Sequence, residues 1–267
     1  MVVFPNGKIN LGLNVTNKRN DGYHDLETVF YPTRIHDVLE IIKADVVEFT
    51  MSGLPVAGDV NDNLCLKAYH LLKKDFLELP PVKIHLHKVL PMGAGLGGGS
   101  ADGAFTLMLL NQKFKLNITE QQLSRYALQL GSDCPFFILN KPCFASGRGE
   151  RLEPIAVDLS AYKIILVHPG IHVSTARAFA LLNPAEPSTS IKNILDKPIS
   201  TWKHQLINDF EAPVFAMFPE IKQIKQTLYA AGALYASMSG SGSAVYGIFE
   251  NKDITLPNFP EHYTIHA

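Results

Sequence analysis

Cysteine and net charge are both scarce in this sequence, and each shortage argues against a class of protein. The 267 residues include three cysteines and one tryptophan, and the formal net charge is −1 at pH 7. The cysteines form no C-x-x-C pair, and their odd number argues against a disulfide framework. A nearly neutral chain has no overall field that attracts DNA, RNA or an anionic membrane, so any phosphate recognition must be local. We therefore expect a site that binds a small molecule.

Long apolar runs and targeting signals are missing as well. No run of about 18 apolar residues is present to span a bilayer, and the N-terminus "MVVFPNGKIN" lacks the basic start and apolar stretch of a signal peptide. Apolar residues make up 46% of the chain and charged residues 18%, which is a globular balance. We expect a soluble, cytoplasmic protein with one large or two medium domains.

A glycine-rich stretch is present instead, "PMGAGLGGGSADG" (91–103), between a predicted strand and a predicted helix. The preceding "VKIHLHK" alternates apolar and polar residues as a strand does, and the apolar spacing after the stretch is helical. Glycines let successive backbone N–H groups point at one ligand, and a helix start adds unpaired donors and a positive dipole end. The stretch is therefore typical of an anion site. Ser100 is the predicted N-cap of the helix, with capping and ligand contact equally open.

The common nucleotide-binding motifs do not describe this stretch. Gly93, Gly95 and Gly98 satisfy G-x-G-x-x-G, but no acidic residue follows at the end of a next strand, as a dinucleotide fold requires. "GGGSA" lacks the lysine of a Walker A loop, and neither H-R-D nor D-F-G occurs. His85 and His87 alternate on the strand before the stretch, where a solvated face is commoner than a metal site. The sequence alone assigns no metal ligand.

Three polar residues lie next to predicted core elements. In "KINLGLNV" (8–15), apolar residues alternate with Lys8 and Asn10, which share a face of a strand, and a solvated face is the simpler interpretation. A helix is predicted to start at the capping box of Thr119 and Gln122 and to end at Gly131, and Asp133 follows this helix and precedes the apolar "CPFF". A carboxylate there is expected to lose part of its hydration and to accept a proton, although a turn-forming Asp is the commoner case.

A domain boundary is predicted near residue 155, so residues 1–154 and 155–267 are expected to form an N-terminal and a C-terminal domain. The clear strand "YKIILVHPG" follows this point. Ser174 and Thr175 then begin a predicted helix, where they either cap it or hold a second anionic group. Farther on, "FPEIKQIKQTLYAAGA" predicts a helix, and "LYASMSGSGSAVYGIF" predicts two strands joined by a Gly-Ser turn. The residues after Phe249 show no clear pattern.

Several motifs together resemble one family, the GHMP small-molecule kinases. The resemblance spans Lys8 to about Phe249 and rests on "GKINLGLNVTNKRNDGYHDLETVF", "PMGAGLGGGSADGA", "GSDCPFF", "GRGERLEP", "HPGIHVSTARAF", "NDFE" and "MSGSGSAVYG". It implies an α+β, two-domain GHMP-kinase fold, with an N-terminal domain resembling ribosomal protein S5 domain 2 and a ferredoxin-like α+β C-terminal domain. The motifs "KRNDGYH" and "GSDCPFF" resemble those of the GHMP kinases that phosphorylate an alcohol carrying a cytidine diphosphate group.

The resemblance also implies roles for individual residues. Asp133 would be the catalytic base and Lys8 its partner, with ATP as the phosphoryl donor and Mg²⁺ bridging its phosphates; Ser100 is a candidate ligand of that ion. The cytidine diphosphate substrate would contact Asn10, Tyr23, His24, Thr175 and Phe179, with the rings of Tyr23 and Phe179 flanking the base. ATP would contact Asn63 and the loop residues Pro91, Met92, Gly93, Ala94, Gly95, Leu96, Gly97, Gly98, Gly99, Ser100 and Ala101.

Two alternatives stay open at this point. One is a related GHMP kinase for another alcohol, such as mevalonate or homoserine, and the other is a non-catalytic nucleotide or metabolite sensor on the same fold. Lys8 and Asp133 favour the enzyme, because a pure binder needs no base.

Gly103 stands where the family usually has Ala, at an expected cost of about 0.5 to 1 kcal/mol in the helix. We expect a monomer or weak homodimer with no nucleic-acid or membrane partner.

Overall fold

A computed structural model describes residues 1–56, 58–250, 254–255 and 258–266. The chain forms two compact units, each assembled from separated stretches of sequence. The first unit comprises Met1–Lys8, Pro32–Met92 and Gly97–Lys141, and the second comprises Ile9–Tyr31, Gly93–Leu96 and Pro142–Ala267. Both units contain helices and strands, so the predicted two-part α+β architecture is confirmed. The boundary near residue 155 stays a prediction.

The elements follow one another along the described chain as strands and helices of very different length. The strands are β1 (Val2–Val3), β2 (Asn6–Lys18), β3 (His24–His36), β4 (Val38–Lys43), β5 (Glu48–Gly53), β6 (Val82–Lys88), β7 (Cys143–Ser146), β8 (Arg151–Pro154), β9 (Tyr162–His168), β10 (Tyr235–Met238), β11 (Val245–Glu250) and β12 (Thr264–His266). The α-helices are α1 (Leu64–Asp75), α2 (Gly98–Phe114), α3 (Glu120–Leu130), α4 (Cys134–Leu139), α5 (Thr175–Ala180), α6 (Ile191–Leu195), α7 (Glu211–Met217) and α8 (Pro219–Ala230). Val60–Asp62 and Ile199–His204 are 3₁₀ helices.

The first unit contains a four-stranded sheet in the order β1-β4-β6-β5. Strand β4 pairs antiparallel with β1 and β6, whereas β5 runs parallel to β6. Val82, Ile84 and Leu86 on β6 are fully buried, as their alternation with polar residues predicts. Helix α1 packs on α2, and α3 packs on α4. Side chains of these helices and of the sheet form the core of this unit.

Local side-chain caps begin two of these helices. Asn63 is the N-cap of α1, and its Oδ1 accepts the N–H of Cys65 at 2.9 Å. Thr119 and Gln122 form the predicted capping box of α3, and Gly131 is its C-cap. Such signals are read reliably because they involve residues only a few positions apart.

Gly103 has a packing role that its low helix propensity does not suggest. A Cβ on this residue would lie 2.9 Å from the Cβ of Leu64 and 3.3 Å from Cδ1 of Leu130. Alanine would therefore collide with α1, because a Cβ is fixed by its backbone and cannot turn away. Beside its expected cost in helix propensity, Gly103 therefore permits the close approach of α1 and α2.

The second unit contains two four-stranded sheets, in the orders β2-β3-β7-β8 and β10-β11-β9-β12, with the ends Asn6–Lys8 and Pro32–His36 assigned to the first unit. Strands β10 and β11 form the predicted antiparallel pair around the Gly-Ser turn. The unit's core includes Val167, Phe210, Leu228 and Val245. The C-terminal segment, which had no clear sequence pattern, supplies β12 along β9. Residues 251–253, 256–257 and 267 lie outside the described part.

Candidate active site

An ion pair between Lys8 and Asp133 lies within the first unit. Nζ of Lys8 is 3.6 Å from Oδ2 of Asp133, and the two side chains expose 5% and 35% of their surface. The prediction of a solvated strand face is wrong, since Lys8 is 4% and Asn10 is 2% exposed. Both faces of this part of β2 are covered by protein, and a two-residue period cannot reveal that. A buried ammonium beside a half-buried carboxylate is a pairing suited to proton transfer and charge stabilisation.

Burial determines the electrostatics of this pair. It lowers the pKa of Lys8, and the carboxylate of Asp133 partly offsets this effect through its charge and a hydrogen bond. Asp133 follows the end of α3 and is the N-cap residue of α4, which begins at Cys134 and has Pro135 in its first turn, and the Asp133 side chain makes no capping hydrogen bond to that helix. The carboxylate therefore keeps acceptor capacity beside an ammonium group, which is the state required of a general base.

The end of the glycine stretch packs directly against Lys8. Gly97 is the N-cap of α2 and has φ +68°, and a Cβ there would lie 2.9 Å from Cζ of Phe137 and 3.2 Å from Cγ of Lys8. Glycine is required because both this backbone conformation and this close approach exclude a side chain. The unpaired N–H groups at the start of α2 thus begin next to the Lys8 side chain, and they form a natural site for phosphate oxygens.

Ser100 is not the N-cap, and that prediction is wrong. The left-handed Gly97 takes the N-cap position, so Ser100 is the third residue of α2. Its side chain hydrogen-bonds with that of Cys134, and burial raises the pKa of the Cys134 thiol to about 12. The hydroxyl of Ser100 therefore lies close to the segment that carries Asp133. Its contact with a ligand stays a prediction.

The middle of the glycine stretch belongs to the second unit, where it lies against a second glycine-serine loop, Ser239–Ala244. A Cβ on Gly95 would overlap the carbonyl oxygen of Ser239. The hydroxyl of Ser239 donates to the carbonyl of Gly95 at 2.8 Å, and the N–H of Ala244 donates to the carbonyl of Ala94 at 3.1 Å. The abundance of glycine thus serves contact between two loops as well as an exposed backbone.

A buried ion cluster lies next to the start of the glycine stretch in the first unit. Nζ of Lys88 donates to Oδ2 of Asp37 and to Oδ2 of Asp102, at 2.5 and 2.8 Å. Oδ1 of Asp37 accepts the N–H groups of Val89 and Leu90, the two residues before Pro91. The cluster therefore ties the end of β6 to the first turns of α2. No local sequence pattern reveals this cluster, because each member appears as an ordinary charged residue.

Asn63 lines a pocket of about 140 Å³ in the first unit, together with Met92, Gly99 and Asp102. The segment and the loop predicted to contact ATP therefore meet at one pocket within this unit. Asp59 and Asp62 also line it. No cluster of three or more His, Cys, Asp or Glu side chains that could hold a metal ion occurs among the described residues.

Aromatic rings group in the second unit at residues predicted to bind the substrate. The rings of His24 and Phe179 stack with centroids 4.7 Å apart, and Phe210 meets Phe179 edge-on at 4.8 Å. Tyr23 is 54% exposed, and the guanidinium of Arg148 lies 4.8 Å from its ring centroid. Arg148 belongs to the "GRGERLEP" motif, whose role the sequence alone does not indicate.

The two remaining predicted substrate residues differ in accessibility. Thr175 begins α5 with its N-cap Ser174, as predicted, and its exposed hydroxyl pairs with that of Ser241 at 3.0 Å. Asn10 is buried: its Nδ2 donates to Oγ1 of Thr28 at 3.0 Å, and its backbone N–H donates to the hydroxyl oxygen of Ser239 at 3.3 Å. Asn10 thus braces the second glycine-serine loop, and its contact with a substrate stays a prediction.

The sequence of this chain matches the descriptions of one protein family. The patterns "GHMP kinases N terminal domain" and "GHMP kinases C terminal" match residues 63–141 and 192–254. The chain belongs to the GHMP kinase family. Kinases of this kind transfer a phosphoryl group, and their catalysis depends on positioning and electrostatic stabilisation. Within the described residues, no helix has the length and apolarity needed to cross a bilayer.

Several similar proteins share one name. The 4-diphosphocytidyl-2-C-methyl-D-erythritol kinase of Parabacteroides distasonis is 52% identical over 250 residues, covering 94% of this chain and 92% of the relative. The protein of the same name from Bacteroides thetaiotaomicron is 52% identical over 96% of this chain and 94% of its own length. A crystal structure of 4-(cytidine 5'-diphospho)-2C-methyl-D-erythritol kinase matches with a TM-score of 0.80 and 33% identity, covering 93% of this chain and 90% of the other. A mevalonate kinase at 12% identity, with a TM-score of 0.68 and coverage of 93% and 91%, shares the fold.

Proposed function

We propose that this protein uses ATP to phosphorylate the 2-hydroxyl of 4-diphosphocytidyl-2-C-methyl-D-erythritol, giving the 2-phosphate and ADP in the non-mevalonate isoprenoid precursor pathway. The observation that carries the proposal is the buried Lys8–Asp133 pair beside the start of α2, in a chain about half identical to relatives of that name. Residues 91–101 hold the ATP phosphates, and Asn63 contributes to the nucleotide pocket.

Asp133 is the general base in this mechanism. Its Oδ2 accepts the proton of the acceptor hydroxyl as that oxygen attacks the γ-phosphorus of ATP and the bond to the β-phosphate oxygen breaks. Lys8, 3.6 Å away, stabilises negative charge that develops on the transferred group. General-base assistance of this kind contributes about 10²- to 10⁴-fold. The N–H groups at the start of α2 orient the phosphates for in-line transfer.

Mg²⁺ fits this donor set as an ion held mainly by the nucleotide. Magnesium in kinase sites takes one or two protein ligands besides substrate phosphates and waters, and the hydroxyl of Ser100 is the candidate here. When bound, the ion would neutralise charge on the phosphate oxygens of ATP. A dedicated protein cage is not needed, in keeping with the lack of a three-residue acidic or histidine cluster in the described chain.

The second unit is proposed to bind the cytidine diphosphate part of the substrate. Phe179 offers a ring face that His24 covers in this structure, and Tyr23 offers an exposed ring backed by Arg148. An aromatic base can stack on such rings at a gain of about 1 kcal/mol. Thr175 supplies an exposed hydroxyl at the start of α5, and Asn10 is proposed to contact the substrate from β2.

We also propose a cytoplasmic enzyme that is a monomer or a weak homodimer and has no nucleic-acid partner. All three cysteines are buried as thiols, which suits a reducing compartment. An N-terminal domain of residues 1–154 and a C-terminal domain of residues 155–267 remain part of the proposal. Gel filtration with light scattering tests the oligomeric state.

ADP release tests the proposed reaction directly. The enzyme with ATP and Mg²⁺ is offered 4-diphosphocytidyl-2-C-methyl-D-erythritol, mevalonate or homoserine, and each assay includes a control without acceptor. Release only with the cytidylyl compound supports the proposal, and Phe179→Ala should then raise its KM by about two- to tenfold while the KM for ATP stays constant. Release only with mevalonate or homoserine indicates a different GHMP kinase. ATP binding without turnover indicates a sensor.

A further inference from the structure

The motif "NDFE" (208–211) has no role in the proposed chemistry, yet the side chain of Asn208 is fully engaged. Asn208 is 1% exposed. Its Nδ2 donates to the carbonyl oxygens of Met238 at 2.8 Å and Gly240 at 2.9 Å, and its Oδ1 accepts the N–H of Phe210 at 3.0 Å. A single amide group therefore holds the two carbonyls that flank Ser239.

The segment around Asn208 is itself firmly anchored in the second unit. The N–H of Asp209 donates to the carbonyl of Leu13 at 2.9 Å, and Oδ2 of Asp209 accepts the N–H of Val15 at 2.7 Å. Oε1 of Glu211 accepts the N–H of Met238 at 2.9 Å, and its Oε2 accepts from Nζ of Lys225 at 2.6 Å. The Asn208 amide is thus a fixed point relative to β2 and to the end of β10.

Ser239 connects the anchored Asn208 segment to the glycine stretch. Its hydroxyl donates to the carbonyl of Gly95, and its own carbonyl oxygen occupies the space that a Cβ of Gly95 would need. A backbone carbonyl left without its donor in a buried site moves to find another partner. A shift of Met238 or Gly240 would therefore displace Ser239 and, with it, residues 93–96.

We propose that Asn208 is a positioning residue for the glycine stretch, acting through Ser239. This inference rests on the proposed function, in which residues 91–101 hold the ATP phosphates. It assigns to the "NDFE" motif a role in the alignment of ATP, without any contact between Asn208 and a substrate. Reactions that depend on in-line geometry are sensitive to displacements of about 1 Å.

Two substitutions and one matched control test the proposal. Asn208→Ala removes all three hydrogen bonds, and Asn208→Asp keeps the acceptor for Phe210 but removes both donors. Asn111→Ala is the control: the amide of Asn111 likewise pairs with the carbonyl and the N–H of Ile118, at 2.9 and 3.0 Å, within the first unit at the end of α2. The measurements are KM for ATP, KM for the cytidylyl substrate, and amide hydrogen exchange of the intact proteins.

We expect both Asn208 variants to raise KM for ATP by about tenfold to a hundredfold, with KM for the cytidylyl substrate changed by no more than about twofold. Amide exchange should rise in residues 93–96 and 238–244. Asn111→Ala should leave these values at the wild-type level. Equal effects on both KM values, or exchange that rises throughout the second unit, would reduce Asn208 to a general stabilising residue and overturn the proposal.

Ser239→Ala keeps the proposal testable if the Asn208 variants do not fold. It deletes the hydroxyl that donates to Gly95 and accepts the N–H of Asn10, and it should raise KM for ATP by a smaller factor than the Asn208 variants do. An unchanged KM for ATP in this variant would contradict the proposed transmission through Ser239. A wild-type protein without kinase activity would defeat the proposed function, whereas the hydrogen-exchange comparison would still test the link from Asn208 to residues 93–96.

Discussion

The carbonyl oxygen of Ser239 occupies the place where a Cβ of Gly95 would stand. These residues are 144 positions apart in the chain, and the Ser239 hydroxyl also donates to the carbonyl of Gly95. The glycine stretch is therefore shaped by a partner loop as well as by its own sequence. A side chain at residue 95 would separate the two loops.

Gly95→Ala should consequently lose at least about a hundredfold in kcat/KM for ATP. Gly232→Ala is a matched control, because Gly232 also has a positive φ, +94°, but among the described residues none beyond its two chain neighbours has an atom within 4 Å of the position that its Cβ would take. Both variants carry backbone strain, whereas only the first disturbs the loop. Comparable losses in the two would show that strain alone explains the effect.

Lys8→Met should separate catalysis from stability. Burial lowers the pKa of Lys8, so its charged form is disfavoured in the folded state at neutral pH, a cost that disappears as pH rises toward the unfolded value. Asp133 keeps 35% of its side chain exposed and stays hydrated without its partner. Urea unfolding should give a stability unchanged or raised by up to about 1 kcal/mol, while phosphoryl transfer falls at least about a hundredfold. A strongly destabilised variant would contradict this assignment.

Asp102 should make stability depend on pH in a direction unusual for a carboxyl group. Burial is the main cause that raises the pKa of Asp102 to about 8, although Lys88 opposes it. The folded pKa lies above the unfolded one. Protonated Asp102 therefore stabilises the folded state fully below about pH 4, and this stabilisation is lost as the pH rises through about 8. The unfolding free energy of Asp102→Asn, relative to wild type, should therefore increase between about pH 4 and 8 and stay constant above that range. Asp158→Asn, at an exposed position, is the control and should show no such trend.

Gly103→Ala should destabilise the protein in spite of the better helix propensity of alanine. The gain in propensity is about 1 kcal/mol, whereas forcing α1 from α2 costs about 1 to 3 kcal/mol. The contact at 2.9 Å is with the Cβ of Leu64, which cannot rotate away. Chemical denaturation measures the net effect, and a variant more stable than wild type would show that the two helices can adjust without cost.

The sequence was most informative where the determinant is local. The Thr119–Gln122 capping box, the strand "VKIHLHK" and the helix start at Ser174 involve neighbouring residues, and the structure has each of them. Helix α4 was not predicted, because it is short and follows directly on the end of α3. Pro135 in its first turn is a signal for its start. Ser100 was misplaced because the left-handed Gly97 begins the helix earlier than a hydroxyl cap would.

The parts that could not be predicted depend on contacts between distant residues. The burial of Lys8 and Asn10 follows from what covers the polar face of β2, which the alternation in "KINLGLNV" does not encode. The Lys88 cluster joins Asp37, Lys88 and Asp102 over separations of 51 and 14 residues. The bracing of Ser239 by Asn208 likewise joins two segments that share no local pattern. Resemblance to a family, rather than any period or spacing, was what brought Lys8 and Asp133 into one site.

Single-turnover transfer of labelled phosphate from ATP to 4-diphosphocytidyl-2-C-methyl-D-erythritol, in wild type and Asp133→Asn, tests the central claim most directly. Loss of the base should slow transfer by about 10²- to 10⁴-fold, with the Kd for ATP changed by no more than about twofold. Transfer by the variant at the wild-type rate would contradict the assignment of Asp133 as the base and the mechanism built on the Lys8–Asp133 pair.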